Sequence, residues 1–174
     1  MAPIKGKAMA CDITDEKAPK QIADFVKEHF EGIDLVIHNA GITRDKTLGN
    51  MPEHFWDMTI AVNLTAEELI DEELIHQELL RENGRIVCIS SISGIAGNFG
   101  QTNYACAKAG IAGMTRVWGQ ELSRYGIRAN AIAPVAKTRM TEDIDAVDEN
   151  ITPDVWAAEL ARLLLIHRRD AALA

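Results

Sequence analysis

Ile33-Asp34-Leu35-Val36-Ile37-His38-Asn39-Ala40-Gly41 decides the fold. Its first six residues are a mostly apolar, partly β-branched run, closed by asparagine and glycine. Such a run reads as a strand covered on both faces, the habit of a parallel sheet. The same punctuation repeats on either side. Residues 7–11 predict a strand, and Thr14 caps a predicted helix over about 15–30. Pro52 opens a helix through about Val62, since proline is tolerated in a first turn. Residues 66–81 predict another helix, 86–90 a strand, 103–124 a long helix ended by Gly126, and 127–133 a strand. Pro153 opens a last helix with Val155, Trp156, Leu160, Leu163 and Ile166 on one side. Strands alternating with helices imply βαβ units and a parallel α/β sheet.

Ligands of such sheets bind beyond the carboxyl ends of the strands. Residues 39–41, 90–94 and 134–138, polar or glycine-rich, fall there. Tyr104 and Lys108 are four apart within a helix and share a face, and Ser91 ends the strand before it. A phenol has a pKa near 10, high for acid–base work at neutral pH. A nearby ammonium favours the phenolate and lowers that value. Tyr104 can then exchange a proton with a carbonyl or alcohol oxygen, while the Ser91 hydroxyl holds the same oxygen. A Tyr-x-x-x-Lys pair alone is also common on solvated helices, so the serine at this spacing carries the added weight.

The chain has 174 residues, which suits a single domain, 1–174, with 47% apolar and 25% charged residues. The net charge of −8 counts against a nucleic-acid partner, whose phosphates need clustered positive charge. Cys11, Cys88 and Cys106 fit neither a disulfide framework nor a zinc site, so reduced thiols in the cytoplasm are expected. The apolar runs are too short to span a bilayer, so no membrane is expected. His29, His38, His54, His76 and His167 form no ligand pattern, so no metal is expected. Gly94, Gly97 and Gly100 do not have the Gly-x-Gly-x-x-Gly spacing and read as a substrate loop beside Ser91. On the helix over 66–81, Leu69, Ile70, Leu74, Ile75, Leu79 and Leu80 spread over most of the surface. That pattern predicts burial on two sides, against the sheet and against a second copy of the chain, making a homo-oligomer.

Five ordered motifs together resemble the short-chain dehydrogenase/reductase family. They are His38-Asn39-Ala40-Gly41, Val62-Asn63-Leu64, Ile89-Ser90-Ser91, Tyr104-Ala105-Cys106-Ala107-Lys108 and Asn130-Ala131-Ile132-Ala133-Pro134. Residues 94–104 and 39–45 are most similar to bacterial 3-oxoacyl-acyl-carrier-protein reductases, in the catalytic half of their longer forms. The resemblance implies a Rossmann-like fold with helices on both faces, and NADP, or NAD, as cofactor. It implies a carbonyl or acyl thioester as the small-molecule substrate. Tyr104 would be the general acid and Lys108 would lower its pKa and bind the nicotinamide ribose. Ser91 would orient the carbonyl, and Asn63 would hold a relay water. Asn39, Ala40 and Gly41 would lie against the cofactor. Asp12 would bind the adenine amino group and Thr138 the nicotinamide carboxamide.

The resemblance begins at what would be the family's third strand, and the family's Gly-x-x-x-Gly-x-Gly turn is not in these residues. Truncation at both ends, with the first βαβ segment lacking, is therefore the expectation. Val135 stands where the family usually has glycine. Glu82 and Tyr125 lie near positions where carrier-protein reductases often have arginine, which leaves a coenzyme A thioester open as substrate. Two functions follow: a β-ketoacyl thioester reductase or a fragment of one, or a truncated, non-catalytic binding partner that assembles through residues 66–81.

Overall fold

The structure, a computed structural model, describes residues 6–134. Three parallel strands lie side by side in chain order: β1 (Ile33–His38), β2 (Leu80–Ile89) and β3 (Arg128–Ile132). His38 stands opposite Cys88, and Ile89 opposite Ile132, so the strands finish nearly level. One edge of the sheet therefore carries Asn39, Ser90 and Ala133 together. This is the parallel, Rossmann-like arrangement expected from the apolar runs. Ile86, Val87 and Cys88 are all fully buried. Successive strand residues point to opposite faces, so the central strand is covered on both.

The helices are α1 (Ala18–His29), α2 (Glu53–Ile60), α3 (Ala66–His76), the short α4 (Ser93–Ala96) and α5 (Thr102–Glu121). Two apolar clusters hold them to the sheet. In one, Ile111 of α5 packs with Leu80, Ile86, Cys88, Leu122 and Ile127. In the other, Ala23 and Val26 of α1 meet Ile70 and Leu74 of α3 and Leu79. Each large aliphatic side chain so covered contributes about 1.5–3 kcal/mol. Residues through Ile132 form one compact unit.

The structure departs from the sequence expectations at several places. β1 leaves Leu35 and Ile37 exposed rather than covered on both faces. α1 starts at Ala18 with Lys17 as its cap, not Thr14, and β2 starts at Leu80 rather than at residue 86. Residues 7–11 form no strand and lie largely exposed. A strand needs a hydrogen-bonding neighbour, and among the described residues none lies beyond the outer edge of β1. The helices expected over 52–62 and 66–81 are one continuous run, because a π-helical turn, Ala61–Thr65, joins α2 to α3. The second of them ends at His76 rather than Arg81. Glu78 takes a positive φ of 54°, and Leu79 N–H donates to Leu74 O. Leu79 and Leu80 thereby leave the helix to enter the two apolar clusters, and tertiary burial outweighs local helix preference there.

Finally, α3 buries a single stripe, Ala66, Glu67, Ile70, Asp71 and Leu74, and leaves Leu69 exposed. The two-sided burial expected of this helix is not reached within one chain. The helix expected from Pro153, and the positions Val135 and Thr138, lie outside the described residues. No described helix is long and apolar enough to cross a membrane.

Candidate active site

Ser91 follows β2, and its Oγ accepts the Ser93 N–H at 3.2 Å. That contact starts α4, which folds back onto α5. A Cβ on Gly94 would stand 2.6 Å from the backbone at Lys108 and Ala109, so only glycine lets the two helices come this close. Ser90, one residue before, donates its hydroxyl to Lys108 O at 2.6 Å and is buried. The end of β2 is thus stitched to the helix that carries Tyr104 and Lys108.

Tyr104 is half-buried. Burial pushes its phenol above the ordinary value, the Ser91 side chain hydrogen-bonds it and pulls it down, and the Asp45 charge pushes it up again. The net direction is upward. The Lys108 ammonium lies 5.9 Å from the centre of the Tyr104 ring and donates instead to Ile89 O at 2.6 Å. The expected lowering of the phenol by Lys108 is therefore corrected: in this geometry desolvation wins. Lys108 is itself buried, and burial holds its pKa below the usual lysine value.

Asn63 sits in the π-helical turn and is fully buried. Its Oδ1 accepts Ile42 N–H at 2.9 Å and its Nδ2 donates to Ile42 O at 2.8 Å. A π turn carries one extra residue and re-aims the side chain it contains. Here it turns an amide inward to clamp the loop after β1. A Cβ on Gly41 would lie 2.8 Å from Asn63 Oδ1 and 3.9 Å from Lys108 Nζ. Asn63, Gly41 and Lys108 are therefore neighbours, and Asn39, Ala40 and Gly41 form an exposed shelf beside them.

Asp12 is not part of this group in the described contacts. It is exposed, and its carboxylate accepts the Thr14 hydroxyl at 2.7 Å and the Thr14 N–H at 3.0 Å. Those bonds hold it below the usual aspartate value, the hydroxyl contributing most.

Several contributors carried no sequence signal. Asn103 is fully buried; its Nδ2 lies within hydrogen-bonding distance of Arg44 O, Phe55 O and Thr59 Oγ1, and its Oδ1 accepts Tyr104 N–H at 2.8 Å. It ties α2 and the 44–45 loop to the first turn of α5, and so fixes Tyr104. Gln101 donates to Asp45 at 2.8 Å and accepts from Ser93 Oγ at 2.9 Å. An asparagine directly before the tyrosine was the available clue. Its Nδ2 partners are more than forty residues away in sequence, which no local pattern reveals.

A second polar cluster lies under the shelf. His38 Nε2 is 2.9 Å from Asp71 Oδ2, and both side chains are buried. Glu67, one helical turn before Asp71, is 2% exposed, and neither of its carboxylate oxygens accepts a hydrogen bond from nitrogen or oxygen. Burial pushes Glu67 up to about 7, against the pull of His38 and Lys108. His38 is raised: burial opposes its charge, but Asp71 and Glu67 outweigh that. Burial also pushes the Cys88 thiol up. A cavity of about 620 Å³ opens from this cluster along β1, lined by Ile22, Val26, Ile70 and Leu74 with His38 and Glu67 at its polar end.

Parallel strands with helical crossovers, and a polar cluster at their carboxyl edge, define a Rossmann-like α/β protein. Residues 3–149 match the family model described as short chain dehydrogenase, and the chain belongs to that family. It is 41% identical over 143 residues to the 3-oxoacyl-(acyl-carrier-protein) reductase FabG of Thermotoga maritima, covering 82% of this chain and 58% of that protein. It is 33% identical over 159 residues to the reductase of that name from Vibrio cholerae, covering 91% and 64%. A hydroxyacyl-CoA dehydrogenase of Mycobacterium tuberculosis, ChsB1, is 39% identical over 168 residues, covering 91% and 51%. The chain thus spans about half to two thirds of the length of these relatives.

Proposed function

We propose that the chain is an NADP(H)-dependent carbonyl reductase, or part of one, that acts on a β-ketoacyl thioester. The observation that carries this reading is the meeting of the Ser91 and Tyr104 side chains at the end of β2, with buried Lys108 one turn along the same helix. Relatives named for acyl-carrier-protein and coenzyme A thioesters support the substrate class. The nicotinamide cofactor, when bound, supplies a hydride to the carbonyl carbon. Ser91 holds the carbonyl oxygen, and Tyr104 gives that oxygen its proton as charge develops. A phenol raised by burial keeps its proton at neutral pH, which suits a donor in the direction of reduction.

The shelf fits the nicotinamide ribose. Asn39, Ala40 and Gly41 are exposed beside Lys108, and Lys108 has donors left after its bond to Ile89 O. Asn63 holds the shelf through Ile42 and keeps one amide proton for a relay water to Lys108. Asp12 is proposed for the adenine amino group and Thr138 for the carboxamide. The cytoplasm is the proposed location. The test is NADPH consumption with acetoacetyl-coenzyme A at saturating cofactor. Cofactor-dependent reduction supports the reading, and none at millimolar cofactor overturns it.

A second reading has one observation in its favour. The groove between α3 and α5 presents Ile75, Trp118 and Tyr125 among acidic residues, and Leu69 and Val117 are exposed nearby in sequence. A homo-oligomer through α3 follows, with or without catalysis. Sedimentation of the protein and of Leu69→Glu tests it: the variant is expected to be monomeric, and an unchanged assembly overturns this interface.

A further inference from the structure

Five ionisable groups are enclosed together under the shelf, and the mechanism above uses only one of them. Glu67 and Asp71 come from α3, His38 from β1, Cys88 from β2 and Lys108 from α5. Each is less than about a tenth exposed. His38 and Cys88 are register partners on adjacent strands. The carbonyl that anchors Lys108 belongs to Ile89, directly after Cys88. His38 is matched by Asp71 at 2.9 Å. That leaves one buried ammonium, on Lys108, and one buried carboxylate, on Glu67, that accepts no hydrogen bond from nitrogen or oxygen.

A buried charge is costly unless an opposite charge compensates it. The ionised pairs His38–Asp71 and Lys108–Glu67 would make the enclosed set neutral, and loss of the Glu67 charge would leave it with an excess positive charge. We propose that Glu67 is a positioning residue for the reductase: its buried carboxylate holds Lys108 as an ammonium seated on Ile89 O. The inference takes its catalytic meaning from the role of Lys108 proposed above, but the electrostatic coupling itself does not depend on that role.

The sign of the pH effect follows. Burial lowers Lys108, so rising pH threatens its proton first among ordinary lysines, while the Glu67 charge opposes that loss. Glu67 titrates at about 7 and gains its charge as pH rises through that value. The carboxylate is thus present over the range in which Lys108 needs it. His38 and Asp71 compensate each other, and Cys88 stays protonated as a thiol.

The test follows the Lys108 side chain by carbon NMR of its ε-methylene during a pH titration of the full chain. In Glu67→Gln the midpoint is expected to fall by about one pH unit, a tenfold loss of proton affinity. An unchanged midpoint in the folded variant overturns the proposal. Should Glu67→Gln not fold, the wild type decides: the Glu67 carboxyl carbon must titrate near 7, with a matching small step at Lys108, and an ordinary glutamate midpoint or a silent Lys108 overturns the proposal. In parallel, the alkaline limb of the reductase pH profile is expected to move to lower pH in Glu67→Gln. A purely structural role would lower the rate without moving the limb. Absence of any wild-type turnover would sink the proposed function, whereas the NMR arm would still decide on Glu67.

Discussion

The two flanks of the sheet solve the same problem differently. On the β2–α5 flank, the buried polar side chains find partners: Asn103, Ser90 and Thr59 bond to backbone, and the Lys108 ammonium bonds to Ile89 O. On the β1–α3 flank, Glu67 accepts no hydrogen bond from nitrogen or oxygen, Asp71 faces His38, and a cavity runs beside a strand whose outer edge has no described neighbour. The first flank is tied together by these bonds and carries the proposed site. The second holds charge in reserve and answers to pH. The difference teaches that the proposed reacting side chains on α5 are held by hydrogen bonds, whereas the ionisable groups beside β1 are held by one another's charge.

The largest effect should come from breaking the β2–α5 flank at its reacting atom. Tyr104→Phe removes the proton donor and is expected to cut turnover by about 10²–10⁴-fold with the fold intact. Initial rates beside a circular dichroism spectrum check both halves of that statement. Near-normal rates would remove Tyr104 from the role of acid.

Cofactor affinity sharpens the contrast. These 174 residues offer Asn39, Ala40, Gly41 and Lys108 to the nicotinamide side but contain no glycine-rich turn for a pyrophosphate. Losing two or three charge-assisted bonds of about 1.5–3 kcal/mol each moves a micromolar site to roughly millimolar. Calorimetric titration of the 174-residue chain with NADPH should find that weak range. Low-micromolar binding would mean that the described shelf suffices.

The pH-sensitive flank should announce itself in stability. Glu67 moves from an ordinary 4.5 to about 7, so the folded state binds a proton there that the unfolded state has released. Its contribution is fully present below the unfolded value and is lost as pH rises through about 7. The loss is at most about 3 kcal/mol. His38, also raised, acts in the same direction. Melting temperatures should fall over this window, and Glu67→Gln should flatten the fall. A melting temperature that rises there contradicts the assignment.

A smaller effect is expected at Asn103. Asn103→Ala takes a donor from Arg44 O and Thr59 Oγ1, while Phe55 O keeps the Thr59 hydroxyl, at a cost of about 1–3 kcal/mol. Chemical denaturation measures it, and a neutral result would mean that α2 and the 44–45 loop do not depend on that amide.

Much of the sheet and of α5 was legible in the sequence. The apolar run Ile33–His38 became β1 with the expected bounds, and the long helix with Tyr104 and Lys108 on one face formed almost where its pattern placed it. Ser91 was found from its place after an apolar run. What escaped depends on distant partners. Residues 7–11 had the pattern of a strand but no described neighbour to bond. Leu79 and Leu80 fitted a helical stripe, yet leave the helix for two different apolar clusters. Glu67 and Asp71 lie among several acidic residues of the same helix, and nothing in the spacing marks these two for burial. They are buried because α3 turns that side inward beside His38. A single sequence carries the spacing of side chains, not which of them will share an enclosed space.

The account stands on Ser91, Tyr104 and Lys108 working together on a carbonyl. The direct test supplies acetoacetyl-coenzyme A and NADPH deuterated at the transferable position, at millimolar cofactor, and weighs the product. Wild type should yield the hydroxyacyl thioester carrying the deuterium on its carbinol carbon, and Tyr104→Phe should yield about a hundredth of that or less. Product without deuterium, or equal product from both proteins, would contradict the account.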